Sequence, residues 1–171
     1  DNLKLTGDIV ADIYLGKITK WNDSRIAAIN PGVNLPDKAM SPVYRSDGSG
    51  TTFVFSDYMT KVSPEWAEKI GTGKSLKWPV GMAAKGNPGV AGVISQTEGS
   101  IGYVGSEYAF AMKIQFAQMR NAAGNFITPN TESISAARRY PYNDHQLGSP
   151  GCLSDQLFHM DHPVQGASLC R

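Results

Sequence analysis

The stretch "RSDGSGTTFVFSDYM", Arg45 to Met59, sets an arginine, an acid and two glycines directly ahead of a helix-patterned run. After Thr51, the residues Val54, Phe55, Tyr58 and Met59 recur at helical spacing, and "AMSPVYR" before the turn reads as a strand delivering Arg45 at its end. Pro42 predicts that this strand is an edge or irregular one. Strand, glycine-bearing turn and helix in that order point to an α/β unit. Glycines ahead of a helix point to something that approaches the backbone closely.

The chemistry of that something follows from the residue types. Gly48 and Gly50 clear side chains from the amides, and Ser49 and Thr51 add hydroxyls where helix N–H groups lack partners and the macrodipole is positive. Arg45 adds a permanently charged planar fork suited to oxyanions. Asp47 beside an anion makes sense as the carboxylate that grips Arg45 and holds the fork in place. Clusters such as "DGSGT" more often only reverse the chain, so the pattern alone leaves both readings standing.

Working outward, "LTGDIVADIYLGKITKWND" predicts a helix capped by Thr6 and stopped at Gly16, with Ile9, Val10, Ile13 and Tyr14 on one face. "DSRIAAINPG" is a shorter helix, capped by Asp23 or Ser24. "SPEWAEKIG" is another, with Ser63 as cap, Pro64 at the first position and Gly71 as stop. "NPGVAGVISQTEG" and "SEYAFAM" read as helices around a strand "SIGYV", and "IQFAQM" as a further strand. Trp21 and Trp78 are expected to pack in or beside the core. With 171 residues, 41% of them hydrophobic, the chain is long enough for one real core. Sixteen basic against 15 acidic residues, a net charge of +1, argue against nucleic-acid binding through a broad basic face, so any anion must be held by a local site. No apolar run is long enough to span a bilayer. Asp1 opens the chain without a methionine or a recognisable leader, so a processed or excised segment is expected.

Rival motifs fail on their letters. A nucleophile elbow needs G-x-S-x-G, but the residue two before Ser49 is Asp47. "GTGKS" at Gly71–Ser75 lacks the P-loop's first glycine, since that position is Glu68, and no strand precedes it. Cys152, His159, His162 and Cys170 match no standard zinc spacing. Cys152 and Cys170 could instead be bridged, which their spacing does not decide.

Four blocks together, "LTGDIVADIYLGKITKWND", "YRSDGSGTTFVFSDYMTKVSPEWAEKIGTGKSLKWPVG", "KGNPGVAGVISQTEGSIGYV" and "EYAFAMKIQFAQMRNAAGNFITP", resemble the phosphate-binding protein of the phosphate-specific ABC transporter and the similar DING proteins. The resemblance runs from about Leu3 to about Ala137. It implies an α/β fold: one lobe of a two-lobed, hinged periplasmic-binding-protein architecture, with a mixed sheet flanked by helices. It implies that residues 1–137 are the second lobe and 138–171 a divergent tail. By the family's R-x-D-G-S-G-T segment, Arg45, Ser49, Gly50 and Thr51 would bind phosphate, with Asp47 and Gly48 in support. The family's other phosphate donors, and the carboxylate that accepts the proton of hydrogen phosphate, have no match in this chain. The resemblance further implies a binding protein rather than an enzyme, without cofactor or metal, in a periplasmic or extracellular setting. Its partners would be inorganic phosphate, an ABC-transporter permease in the parent protein, and the missing first lobe or a second chain at an open face. No nucleic acid is expected. Unpaired strand edges are expected at Leu3–Thr6 and after Thr131. The alternatives are a phosphohydrolase with Ser49 as nucleophile and an interaction module with a vestigial anion site.

Overall fold

The computed structural model describes residues 3–121 and 123–130, together with the backbone of residues 167–170. Its elements are β1 (Lys4–Leu5), α1 (Gly7–Tyr14), α2 (Ser24–Ile29), β2 (Ser41–Arg45), α3 (Gly50–Val62), α4 (Pro64–Lys69), β3 (Met82–Ala84), α5 (Gly86–Gln96), β4 (Ser100–Gly105), α6 (Ser106–Ala111), β5 (Gln118–Arg120), β6 (Phe126–Ile127) and β7 (Ala167–Cys170). The expected helices form where their caps place them. Asp23 accepts from the Arg25 N–H, Ser49 from Thr52 and Ser63 from Trp66, each satisfying an orphan amide of a first turn. Thr6 precedes α1 as expected, yet its side chain makes no capping bond.

The larger sheet runs β3-β2-β4-β7, and a smaller one runs β1-β5-β6. β2 pairs parallel with β3 and with β4, while β7 adds antiparallel to β4, so the sheet is mixed as expected. The parallel pairs follow from helical crossovers: α3 and α4 connect β2 to β3, and α5 connects β3 to β4.

Both faces of this sheet are covered, which explains why β4 is buried along its whole length. Alternate residues serve different cores. Ile101 and Tyr103 join Tyr14, Phe55, Met59 and Trp66 on the α1, α3 and α4 side. Val104 joins Val43, Val90, Ala91 and Ile94 on the α5 side. Gly102 lies on that second face because α5 packs so closely that a Cβ would come 2.6 Å from the Ile94 side chain. On the first face, Phe55 stacks on Tyr103 at 4.3 Å and meets Tyr14 edge-on at 5.0 Å. Each fully buried ring contributes about 1.5–3 kcal/mol. Trp21 is buried with its indole N–H on the Gly99 carbonyl, and Trp78 is half-buried and stacked on Tyr44, so both pack structurally as expected.

Pro42 does not mark an edge. β2 lies between β3 and β4. The proline is tolerated because its β3-facing side lies ahead of the β2–β3 ladder, which begins only at Val43 opposite Met82. Instead of a ladder partner Pro42 meets Gly81, where φ is +112° and a Cβ would sit 2.5 Å from the Pro42 carbonyl oxygen. A side chain there would meet backbone in a conformation that favours glycine.

The expected open edge at Leu3–Thr6 is closed. β1 pairs with β5 on one side. On the other, the Lys4 N–H donates to Asn30 Oδ1 and Asn30 Nδ2 donates to the Lys4 carbonyl, both at 2.8 Å. The second expected edge, after Thr131, and the candidate ligands Cys152, His159 and His162 lie outside the described residues. So does the side chain of Cys170. The strand expected over "IQFAQM" begins later, at Gln118: Ile114 still belongs to the turn that closes α6, its N–H donating to the Ala109 carbonyl after Lys113 at a φ of +53°.

Candidate anion-binding site

β2 and β3 end side by side, and α3 and α5 start just beyond them. The N–H of Ser46, one residue past β2, donates to the Ala84 carbonyl at the end of β3, so the turn to α3 leaves alongside the start of α5. Arg45 closes β2 with its side chain only 10% exposed. The Asp47 carboxylate accepts from Arg45 Nε at 2.8 Å and from Nη2 at 2.6 Å, a bidentate fork that fixes the guanidinium plane. Arg45 Nη1 donates to Asn87 Oδ1 at 3.0 Å, and the Gly86 N–H donates to Asp47 Oδ1 at 2.9 Å. These three bonds occupy three of the five N–H groups that a guanidinium carries, and two remain for a ligand.

The electrostatics follow from this clamp. The guanidinium bonds, and then the Gly86 amide, hold the Asp47 carboxyl well below the usual carboxylate range. Asp47 is therefore charged at neutral pH and locked on Arg45, whose own affinity for its proton rises in return. Burial pushes the Tyr103 phenol up to about 12. Its neutral hydroxyl accepts from the Arg45 backbone N–H at 3.2 Å and lies 2.8 Å from Thr52 Oγ1. One phenol thus ties the end of β2 to the first turn of α3.

The turn itself is held from behind. The Ser49 N–H donates to the Lys74 carbonyl at 2.9 Å, and the Ser49 hydroxyl accepts from the Thr52 N–H. Ser49 therefore offers its hydroxyl proton but not its amide. Gly50 and Thr51 have amides without an acceptor among the described residues, at the positive end of a 13-residue helix. A Cβ on Gly50 would meet nothing within 4 Å, so the space beside Gly50 is open.

Asn87, Gly86, Tyr103 and the Lys74 carbonyl support the site from positions outside the Arg45–Thr51 segment. An asparagine at the head of a helix, in "KGNPGV", was the available signal for Asn87. Among the described residues no cluster of three or more His, Cys, Asp or Glu could hold a metal ion.

Residues 1–145 match the model of a PBP superfamily domain. The chain belongs to the PBP superfamily. It is 48% identical over 166 residues to the phosphate-binding protein PstS of Pasteurella multocida, covering 97% of this chain and 48% of that protein. It is 53% identical over 135 residues to the PstS of Xylella fastidiosa, covering 79% of this chain and 37% of that one. The chain thus spans half or less of these curated relatives, and the match to the Pasteurella protein runs on beyond residue 137. Among solved structures, a high-affinity periplasmic phosphate-binding protein (PfluDING) bound with phosphate aligns at a TM-score of 0.59 and 18% identity, over 98% of this chain and 51% of that one. A DING protein aligns at 0.60 and 17%, over 98% and 53%. These likenesses place the fold as one lobe of the superfamily's architecture. Within such a PBP lobe the Arg45 cluster occupies the C-terminal edge of parallel strands, where α/β sheets hold their ligands.

Proposed function

We propose that this chain binds inorganic phosphate as one lobe of a phosphate-uptake binding protein, carrying half of the ligand site. The observation that carries the reading is Arg45: clamped by Asp47 and Asn87, it keeps two N–H groups for a ligand, on the turn that opens α3. In this reading Arg45, the Ser49 hydroxyl and the Gly50 and Thr51 amides contact phosphate, Thr51 Oγ1 adds a further donor, and Asp47 and Gly48 support them. PstS relatives named as phosphate-binding proteins support the same assignment. In the same proposal residues 1–137 form the lobe and 138–171 a tail, a second lobe or chain closes over the site, an ABC-transporter permease is the docking partner, and the setting is periplasmic or extracellular.

Recognition is favoured over hydrolysis by the state of Ser49. Among the described residues its hydroxyl bonds only to the Thr52 N–H, and no base reaches it. The donors present amount to a few charge-assisted bonds on an open face. The chain alone should therefore bind phosphate no better than millimolar, about 4 kcal/mol, where micromolar affinity needs about 8. Calorimetric titration with phosphate tests the reading: weak saturable binding is expected, abolished by Arg45→Ala. Turnover of a chromogenic phosphomonoester that disappears in Ser49→Ala would overturn it in favour of an enzyme.

A further inference from the structure

A second set of donors converges away from Arg45, where α1 begins beside α3 and the turn after β5. The cavity there has a volume of about 310 Å³ and is lined by Thr6, Gly7, Asp8, Tyr58, Arg120 and Asn121 among others. Tyr58 is only 1% exposed, and its hydroxyl has no hydrogen-bond partner among the described residues. It reaches the start of α1, because a Cβ on Gly7 would lie 2.6 Å from the phenol oxygen. Burial, with the Asp8 charge nearby, pushes this phenol well above its ordinary range, so it keeps its proton to donate. Asn121 is 7% exposed. Its Oδ1 accepts from the Asn125 N–H, while its Nδ2 has no acceptor among the described residues.

The backbone repeats the pattern. The first amide of α1 with a helical acceptor is that of Val10, on the Thr6 carbonyl, and Thr6 makes no capping bond. The Gly7, Asp8 and Ile9 amides are therefore unanswered among the described residues. Arg120 folds over Gly124, whose Cβ would come 3.4 Å from Nη2, and no carboxylate pairs with it among the described residues. Buried polar groups are rarely left without partners. Here donors far outnumber the one carboxylate, Asp8. A water brings as many donors as acceptors, whereas an oxyanion brings acceptors chiefly.

We propose that this cavity is a second oxyanion site, separate from the Arg45 turn, which takes a small phosphate or carboxylate group on Arg120, Tyr58, Asn121 and the first amides of α1. Asp8 opposes the anion and sets a weak affinity, so Asp8→Asn tightens binding.

Chemical-shift titration of the isotope-labelled 171-residue chain tests the site, with sodium phosphate and sodium acetate as separate probes at constant ionic strength. Saturable shifts of the Gly7 and Asp8 amides and of Arg120 Nε–H are expected, and the probe that binds more tightly identifies the ligand class. These shifts persist in Arg45→Ala. Tyr58→Phe, which keeps the buried ring, weakens them about five- to tenfold, and Arg120→Gln, on the surface, at least about tenfold. Absence of saturable shifts with either probe, unchanged affinity in Arg120→Gln, or loss of the shifts in Arg45→Ala would each overturn the proposal. The Arg45 site is judged in the same spectra by the Gly50 and Thr51 amides, so the two readings stand or fall separately.

Discussion

Replacing Asp47 with asparagine sets two physical effects of one carboxylate against each other. The wild-type group accepts three bonds: Arg45 Nε at 2.8 Å, Nη2 at 2.6 Å and the Gly86 N–H at 2.9 Å. An asparagine oxygen can keep Nε and the Gly86 amide, but its NH₂ then faces Nη2, donor against donor. One charge-assisted bond is lost, about 1.5–3 kcal/mol, and the fork loosens. In the other direction, a negative charge disappears near the ligand. At about 8 Å and an effective dielectric of about 20–40, that relieves about 1–2 kcal/mol of repulsion. The net expectation is a loss of about 1 kcal/mol, or roughly fivefold weaker phosphate binding. Calorimetry at low salt on wild type, Asp47→Asn and Arg45→Ala reads the three levels, with no detectable binding in the last. Several-fold tighter binding by Asp47→Asn would refute the reasoning, because repulsion would then outweigh positioning.

The same carboxylate gives a pH signature. Its pKa is depressed in the folded chain, so its contribution to stability is complete above the unfolded value of about 3.9 and fades as pH falls through the lower folded one. The gap in urea midpoint between wild type and Asp47→Asn should be constant above about pH 5 and shrink below about pH 4; a gap that widens on acidification would contradict the Arg45 pairing. Tyr103→Phe leaves the Arg45 N–H and Thr52 Oγ1 short of a partner in a buried place, and should cost about 1–3 kcal/mol in chemical denaturation. Gly81→Ala drives a methyl group against the Pro42 carbonyl at positive φ and should cost about 2 kcal/mol or more, read as a lowered thermal midpoint.

The parts of this fold legible in the sequence are those whose signals are local. Ser63-Pro64 and Asp23 announce helix starts, and the Val54, Phe55, Tyr58, Met59 spacing announces a buried helix face, because a cap or a period is complete within a few residues. β1, β3 and β6 span only two or three residues each, too few for an alternating pattern to show. Pro42 misleads because position within a sheet is settled by where the neighbouring ladder begins, at Val43, which no local rule contains. The site divides in the same way. Asp47 stands two residues from Arg45, so the pair could be read directly, whereas Asn87 and Tyr103 reach Arg45 from 42 and 58 residues away. The "GTGKS" loop, a failed P-loop by its letters, reaches the site through the Lys74 carbonyl that takes up the Ser49 amide.

Asn30 stands in for a neighbouring strand, its side-chain amide presenting to Lys4 the same donor and acceptor as a peptide group, with a further bond from Nδ2 to the Ile26 carbonyl. On the edge away from β5, this makes the hold on the Lys4 carbonyl depend on one nitrogen atom that chemistry can remove over time. Deamidation would replace a donor by a carboxylate aimed at two carbonyl oxygens, and the strand would lose its latch. The usual route begins with attack by the amide nitrogen of the next residue on the side-chain carbonyl. The next residue is Pro31, whose nitrogen has no hydrogen to lose. The residue that replaces a strand is thus followed by the one residue type that shields it from that ageing reaction, and the anchorage of this end should outlast exposed asparagines elsewhere in the chain, such as Asn34.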